Sequence, residues 1–323
     1  MSGHTAERLT LARLPSGVEI TTTVHTYEGD EPGPTLYTQA AQHGQEINGA
    51  EVLRRFHERF DPEEFAGTLI AVPVADPLTF DRVTYTTPEP IDSVNSNMNR
   101  CWPGDEDGTL HERMAAKLWA YAGEADAIVD LHTGSADMYT HVVYMRGDAE
   151  SHRLAKAFGT DLLLAEAADE EADEEWHSRN FGGKLRVAAT NEGIPSITPE
   201  LAHNTQIVEE AVETGVTGLF NVLRELEMLP GEVEPNGRTE LTRNHLGTVN
   251  ADASGLFRID PDRAVGESVD SGEHIGTVYD PTTFEVLQEA ETDRAGILYD
   301  LARESTVTEG DTLLRVALRI NEP

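Results

Sequence analysis

The sequence has little cysteine, little lysine and no long apolar segment. Its one cysteine, Cys101, excludes an internal disulfide and excludes zinc or iron–sulfur sites built from several cysteines. Any bound metal must therefore be held by His, Asp or Glu side chains. No uninterrupted run of about 18 apolar residues occurs, so no membrane span is predicted. The N-terminus lacks the basic start and apolar stretch of a secretory signal, and we expect a cytoplasmic protein.

Basic residues are scarce as a class. The 323 residues include 59 Asp and Glu against 24 Lys and Arg, a formal net charge of −35. The acids occur throughout the chain, with a dense run at 169–175. This balance argues against nucleic acid and anionic membrane as partners, because phosphate binding needs clustered Lys and Arg. The composition is similar to that of proteins from salt-in halophiles, where molar salt screens the repulsion between like charges.

Apolar patterns of strand type and helix type alternate over the first two thirds of the chain. The expected strands are 18–22, 35–38, 68–74, 127–131, 141–145 and 194–201. The expected helices are 50–60, 111–121, 151–158 and 205–227. This alternation predicts an α/β fold in which helices flank a parallel or mixed sheet.

The pattern changes after Pro230 and Gly231. From about residue 240 onward, short β-prone runs are separated by Gly and Asp turns, which is typical of a small all-β module. These runs are 255–257, 276–279, 284–287, 296–299 and 313–318. We therefore expect an α/β domain at 1–235 and a barrel-like C-terminal β module at 236–323.

Three side chains suited to metal binding follow predicted strands. His43 and Glu46 are three residues apart, and both can face one ion if the backbone turns between them, as Gly44 permits. His132 follows the apolar run 128–131, where a parallel strand delivers side chains to the mouth of a sheet. Two histidines and one carboxylate, with a fourth position open to water, form a recurrent catalytic zinc shell. A core histidine and a solvated loop histidine are the alternative interpretation.

Further candidate residues lie near the ends of other segments. Glu200 is at the end of the predicted strand 194–201, and a Glu beside zinc-bound water can take its proton and pass it to a leaving nitrogen. Asn99 and Arg100 end a polar stretch without periodicity, and an Arg can bind a substrate carboxylate through two hydrogen bonds. An ordinary surface Glu and a loop Arg in an ion pair are the alternatives.

Four short motifs carry a family resemblance. They are HGQE at 43–46, NRCWPG at 99–104, DLHTG at 130–134 and PSITPE at 195–200. In this order they resemble the succinylglutamate desuccinylase/aspartoacylase family, which belongs to the zinc carboxypeptidase superfamily. The resemblance implies one zinc ion per chain, held by His43, Glu46 and His132. It also implies that Glu200 is the general base and acid.

The resemblance extends to substrate binding and to the C-terminal module. It assigns Asn99 and Arg100 to a substrate carboxylate. Family members usually carry a further Arg some residues before this pair, and Arg82 is the nearest candidate. Arg186 is a second candidate for binding the substrate or stabilising a developing oxyanion. The C-terminal module resembles the barrel-like appendage that covers the active-site entrance in this family. It cannot be a lysine-modified carrier, because no lysine occurs from residue 241 onward.

Together these features predict a zinc-dependent enzyme that hydrolyses the amide bond of an N-acyl amino acid. Zinc-bound water is the expected nucleophile, and the expected partner is a small-molecule substrate. A homo-oligomer is compatible with the sequence. Two alternatives stay open, namely a zinc carboxypeptidase that acts on peptides and a non-catalytic protein that binds zinc or a small molecule. The motifs are compatible with succinyl, acetyl and formyl groups.

Overall fold

The computed structural model describes residues 3–135, 137–167, 176–177, 179–234, 239–243, 246–303 and 306–321. The acidic run predicted at 169–175 lies outside the described residues. The strands of the first part of the chain are β1 (Gly3–Arg13), β2 (Glu19–Glu28), β3 (Glu31–Ala40), β4 (Ala66–Val72), β5 (Ala127–Gly134), β6 (His141–Met145), β7 (Leu162–Glu166), β8 (Ser196–His203) and β9 (Glu240–Arg243). The helices are α1 (Asn48–Arg59), α2 (Pro77–Phe80), α3 (Leu110–Ala122), α4 (Ala149–Phe158), α5 (Leu185–Asn191) and α6 (Glu209–Glu225).

The C-terminal strands are short and mostly antiparallel. They are β10 (Thr248–Asn250), β11 (Gly255–Ile259), β12 (Ser268–Val269), β13 (His274–Tyr279), β14 (Val286–Glu291), β15 (Gly296–Leu301), β16 (Thr306–Val307) and β17 (Thr312–Arg319). Four of them form a separate sheet in the order β14-β13-β11-β16.

The remaining strands form one large mixed sheet. It has 13 strands in the order β1-β2-β4-β3-β5-β8-β6-β7-β9-β17-β15-β12, with β10 paired to β17. The central strands β4, β3, β5 and β8 are parallel, and β6 joins β8 in the antiparallel direction. The carboxyl ends of β3, β5 and β8 therefore meet at one edge, which is where ligands bind in open α/β sheets.

Two apolar cores cover the two faces of the central sheet. On β3 and β5, Leu36 and Val129 point into one core, whereas Tyr37 and Ile128 point into the other. Helices α1, α4 and α6 pack in the first core, and α3 and α5 pack in the second. Because both faces are covered, β5 is buried along its whole length, which explains its continuous apolar sequence.

The structure confirms the predicted fold class and most predicted elements, and it adds elements that the sequence patterns did not reveal. Strand β1 pairs with β2 as a long hairpin that was not predicted. Strand β7 and helix α5 were also not predicted, although LLLAE at 162–166 is fully buried. His132 does not end its strand, since β5 continues to Gly134.

The C-terminal region forms the expected antiparallel module and also extends the large sheet. Strand β9, which follows the predicted domain boundary, pairs with β7 and with β17. The boundary at 235–236 itself stays a prediction. In the described part of the chain, no helix has the length and apolar character needed to cross a membrane.

Candidate metal centre and active site

The predicted site residues meet at the carboxyl edge of the parallel strands. His43 and Glu46 lie in the turn between β3 and α1, and His132 lies near the end of β5. Glu200 lies on β8 directly opposite His132 in the β5–β8 ladder. The topology thus brings together residues that are more than 150 positions apart in the sequence.

His43, Glu46 and His132 form one compact, buried cluster. Each offers a ligand atom, and these atoms lie within 4.8 Å of one another. The His132 Nδ1 atom is 2.9 Å from Glu46 Oε2, and the Thr133 backbone N–H donates to the same oxygen at 3.1 Å. Two imidazoles and one carboxylate are the donor set of catalytic zinc sites that keep one position open.

In each imidazole ring, the nitrogen that points away from the cluster already has a hydrogen-bond partner. The other nitrogen of each ring is left for a metal. His43 Nδ1 donates to the Tyr85 carbonyl at 2.8 Å, and the Tyr85 ring stacks on the His43 ring. His132 Nε2 lies 3.0 Å from Asp130 Oδ2. Metal-binding histidines are usually oriented in this way, by a carbonyl or a carboxylate on the second nitrogen. The residues present therefore fit a zinc ion.

A buried hydrogen-bond network holds Asp130 behind His132. The side-chain amides of Gln39 and Gln42 both donate to the Asp130 carboxylate at 2.9–3.0 Å. Gln42 in turn accepts from the Trp102 indole at 2.8 Å, and Tyr37 donates to Gln39. Because every member is partnered, the network fixes the carboxylate that orients His132.

Burial and neighbouring charges perturb the acid–base groups of the cluster. Burial and, to a smaller extent, the Glu46 carboxylate raise the pKa of Glu200 to about 7 against the opposing effects of His132, Arg186 and Lys184. Burial lowers the pKa of His43. Burial also acts to lower the pKa of His132, but the carboxylates of Asp130 and Glu46 outweigh it and hold that pKa well above its usual range.

Gly44 allows the turn that carries His43 and Glu46 for a different reason from the one expected. A Cβ atom at this position would lie 1.9 Å from the Thr79 carbonyl oxygen, so only glycine lets the two backbone segments pass. A similar contact occurs where Gly183 passes the Arg100 carbonyl, at 2.1 Å from the place of a Cβ. Close approach, rather than a left-handed backbone, is what these glycines provide.

The Asn99–Arg100 pair lies beside the cluster. Asn99 accepts from the Leu185 backbone N–H at 3.1 Å, and its Nδ2 is 3.4 Å from His132 Nε2. Arg100 donates to the carbonyls of Asn99 and Arg179, and burial lowers the pKa of its guanidinium. Within the described ranges, no carboxylate forms an ion pair with Arg100.

The two other predicted arginines have different surroundings. Arg186 lines the cavity but is bonded to Glu166 and to the Thr198 hydroxyl. Lys184 donates to the same Glu166 carboxylate at 2.7 Å, and burial lowers its pKa to about 8. Arg82 donates to the Leu78 carbonyl and is not among the described residues that line the cavity.

A cavity of about 560 Å³ opens over the cluster and is partly enclosed by the C-terminal module. The residues of the C-terminal module that line this cavity include Tyr299, Asp300, Thr312 and Arg315. Asp300 is buried and accepts from Arg315 and from Ser135 of the α/β part. The module is thereby fixed beside the site, as the resemblance implies.

Several residues that contact the cluster or line the cavity escaped the sequence analysis. Asp130 could have been found, because residues two apart on a strand face the same side and Asp130 precedes His132 by two. Glu166 and Lys184 belong to β7 and to the segment before α5, where no element was predicted. The cavity-lining Tyr299 and Arg315 carry no local motif, since the chain packing alone brings them to the site.

Comparison with known proteins agrees with this arrangement. The sequence model of the succinylglutamate desuccinylase/aspartoacylase catalytic domain matches residues 32–226. An N-alpha-acetyl-L-2,4-diaminobutyric acid deacetylase from Halomonas elongata is 27% identical over 306 residues, which cover 88% of this chain and 82% of that protein.

Solved structures resemble the chain over nearly its whole length. A succinylglutamate desuccinylase/aspartoacylase from Rhodobacter sphaeroides superposes with a TM-score of 0.83 at 26% identity, covering 99% of this chain and 96% of the other. The ectoine utilization protein EutE (DoeB) from Ruegeria pomeroyi, in a product-bound structure, has a TM-score of 0.83 at 22% identity, covering 98% and 95%. The family match spans more than half of the chain, and the chain therefore belongs to the succinylglutamate desuccinylase/aspartoacylase family.

Proposed function

We propose that the protein is a zinc-dependent hydrolase that cleaves the amide bond of a small N-acyl amino acid. The observation that supports this most strongly is the buried His43–Glu46–His132 cluster with Glu200 on the adjacent strand. Both imidazoles keep one nitrogen for the metal. The raised pKa of Glu200 suits a group that accepts a proton and then donates it, as amide hydrolysis requires.

Each step of the reaction can be assigned to a residue of this chain. A zinc ion on the three ligands would polarise the amide carbonyl and lower the pKa of water to about 7. Glu200 accepts the proton of the attacking water and returns it to the nitrogen of the leaving amine. A carboxyl pKa of about 7 suits both roles, since the group can take and give a proton near neutral pH.

Arg100 is the residue that binds the free carboxylate of the substrate in this proposal. Its half-buried guanidinium lines the cavity beside the cluster and has no carboxylate partner among the residues described, so an incoming carboxylate would supply an anion there. The Asn99 side chain is bonded to the Leu185 backbone and positions this loop next to His132. Such an arrangement selects an amide that lies close to a carboxylate.

The substrate class is also supported by a relative and by the size of the cavity. The Halomonas elongata relative deacetylates an N-acetylated amino acid. A cavity of about 560 Å³ is in the range of small-molecule sites. Since residues of the C-terminal module line it, a long peptide would find less room than a single acylated amino acid.

A substrate panel tests this proposal. N-acetyl, N-formyl and N-succinyl amino acids and short peptides are assayed in molar salt, with Glu200→Gln as the matched variant. We expect hydrolysis of one or more N-acyl amino acids by the wild type, slower cleavage of peptides, and loss of most turnover in the variant. Zinc binding without hydrolysis of any compound would support a binding protein instead and overturn the proposal.

A further inference from the structure

A buried histidine lies at the base of the loop that carries the substrate-binding pair. His111 is in the first turn of α3 and is fully buried. The loop 81–100 runs from the end of α2 to Arg100 and contains a turn that is closed by the Thr87 backbone N–H donating to the Ser96 carbonyl at 2.9 Å. His111 lies against this turn.

The imidazole of His111 bonds both arms of the turn. Its Nδ1 donates to the Asn95 carbonyl at 2.6 Å, and its Nε2 is 3.0 Å from the Thr87 hydroxyl. Thr87 is two residues after Tyr85, which stacks on His43, and Asn95 is four residues before Asn99. One side chain thus holds both ends of the segment that leads into the active site.

Two buried aspartates flank the ring. Asp76, from the start of α2, has Oδ2 at 3.3 Å from His111 Nε2, and Asp92, from the loop itself, has Oδ2 at 3.4 Å from Nδ1. They are the acidic side chains within ion-pair distance in the described chain. Asp92 also accepts the backbone N–H of His111 and of Asn95, so it joins the helix to the turn.

The flanking carboxylates favour the protonated ring. Since a carbonyl can only accept, Nδ1 must carry a proton, and in a neutral ring Nε2 could then only accept. Such a ring could accept from the Thr87 hydroxyl but would offer nothing to Asp76 Oδ2, which is buried 3.3 Å from Nε2 with no hydrogen-bond donor among the described residues. An imidazolium places a positive charge between the Asp76 and Asp92 carboxylates, and these carboxylates raise the His111 pKa although burial acts to lower it.

We propose that the His111 imidazolium is a positioning residue, which ties both arms of the turn 87–96 to the start of α2 and so fixes Arg100 at the cavity. The inference rests on the substrate-binding role of Arg100 proposed above. Since the folded-state pKa is raised, the restraint is fully present below about pH 6.5 and is lost as the pH rises through that raised value. Loss of the proton loosens the loop and weakens substrate binding.

Hydrogen exchange by mass spectrometry on the zinc-loaded protein tests the restraint without any substrate. After correction for intrinsic rates, peptides from 81–100 of the wild type should exchange about tenfold faster at pH 9 than at pH 6.5, while peptides from β5 stay protected. His111→Gln should exchange fast at both values. His152→Gln, a partly buried histidine of α4 away from the loop, is the matched control and should behave as wild type.

Kinetics on the best substrate of the panel provide the second measurement. His111→Gln should raise KM about tenfold with zinc content unchanged and kcat changed much less, and its KM should lose the rise with pH that the wild type shows. Unchanged exchange of 81–100 in a folded variant, or equal loosening of the whole protein, overturns the inference. If the variant does not fold, the wild-type exchange series decides alone. Because exchange needs no substrate, this result stands even if no deacylase activity is found.

Discussion

Replacement of Asp130 by asparagine is expected to weaken zinc binding by about 10- to 100-fold. The Asp130 carboxylate accepts four contacts, three from the amides of Gln39 and Gln42 and one from His132 Nε2. Asparagine has one acceptor oxygen and must turn an NH₂ group toward one of these donors. His132 then loses its orienting anion, and its other nitrogen becomes a weaker ligand.

The size of the effect follows from the affinity that such partners usually contribute. A loss of 10- to 100-fold corresponds to about 1.4 to 2.8 kcal/mol of zinc-binding free energy. Competition with a chromophoric chelator measures this directly, and circular dichroism checks that the variant is folded. Asp126→Asn is the matched control, because it makes the same change just before β5 at an exposed aspartate that accepts from the Thr35 backbone. A zinc affinity of Asp130→Asn within twofold of the wild type would refute this account of the network.

Other properties should follow from the same structure. Glu200→Gln should lower kcat by about 10²- to 10⁴-fold with zinc content unchanged, because only proton transfer is removed; equal loss of zinc would contradict this. Arg100→Lys should raise KM about tenfold in steady-state assays, since a lysine keeps the charge but not the two-pronged contact; an unchanged KM would argue against the carboxylate role. Burial raises the pKa of Cys101 to about 12, so iodoacetamide at pH 8 should label only the unfolded chain. The net charge of −35 should make the thermal midpoint rise between about 0.1 and 1 M KCl.

The sequence predicted the central architecture because buried strands and amphipathic helices carry their own patterns. Strand β5 is apolar along its length, and α1 shows Val52, Leu53 and Phe56 at helical spacing, so both were found. Strand β1 was missed because most of its side chains are exposed on both faces, which removes the alternation that marks a half-buried strand.

The candidate site was predictable to the extent that its residues sit in short motifs. His43, Glu46, His132 and Glu200 were named from such motifs, and the topology brings them together. The sequence could not predict which arginine and lysine side chains form ion pairs with carboxylates of the protein. Arg186 is bonded to the Glu166 carboxylate of a strand that no pattern revealed, so only the structure separates its surroundings from those of Arg100.

Zinc content and hydrolysis rate measured on the same samples test the central claim most directly. Protein in molar salt is stripped with a chelator, dialysed and titrated with zinc, using the best N-acyl amino acid of the panel as substrate. The account predicts that the rate vanishes with the metal, returns in proportion to zinc and stops rising at one zinc ion per chain. Full hydrolysis by zinc-free protein, or a rate that does not follow the bound zinc, would contradict it.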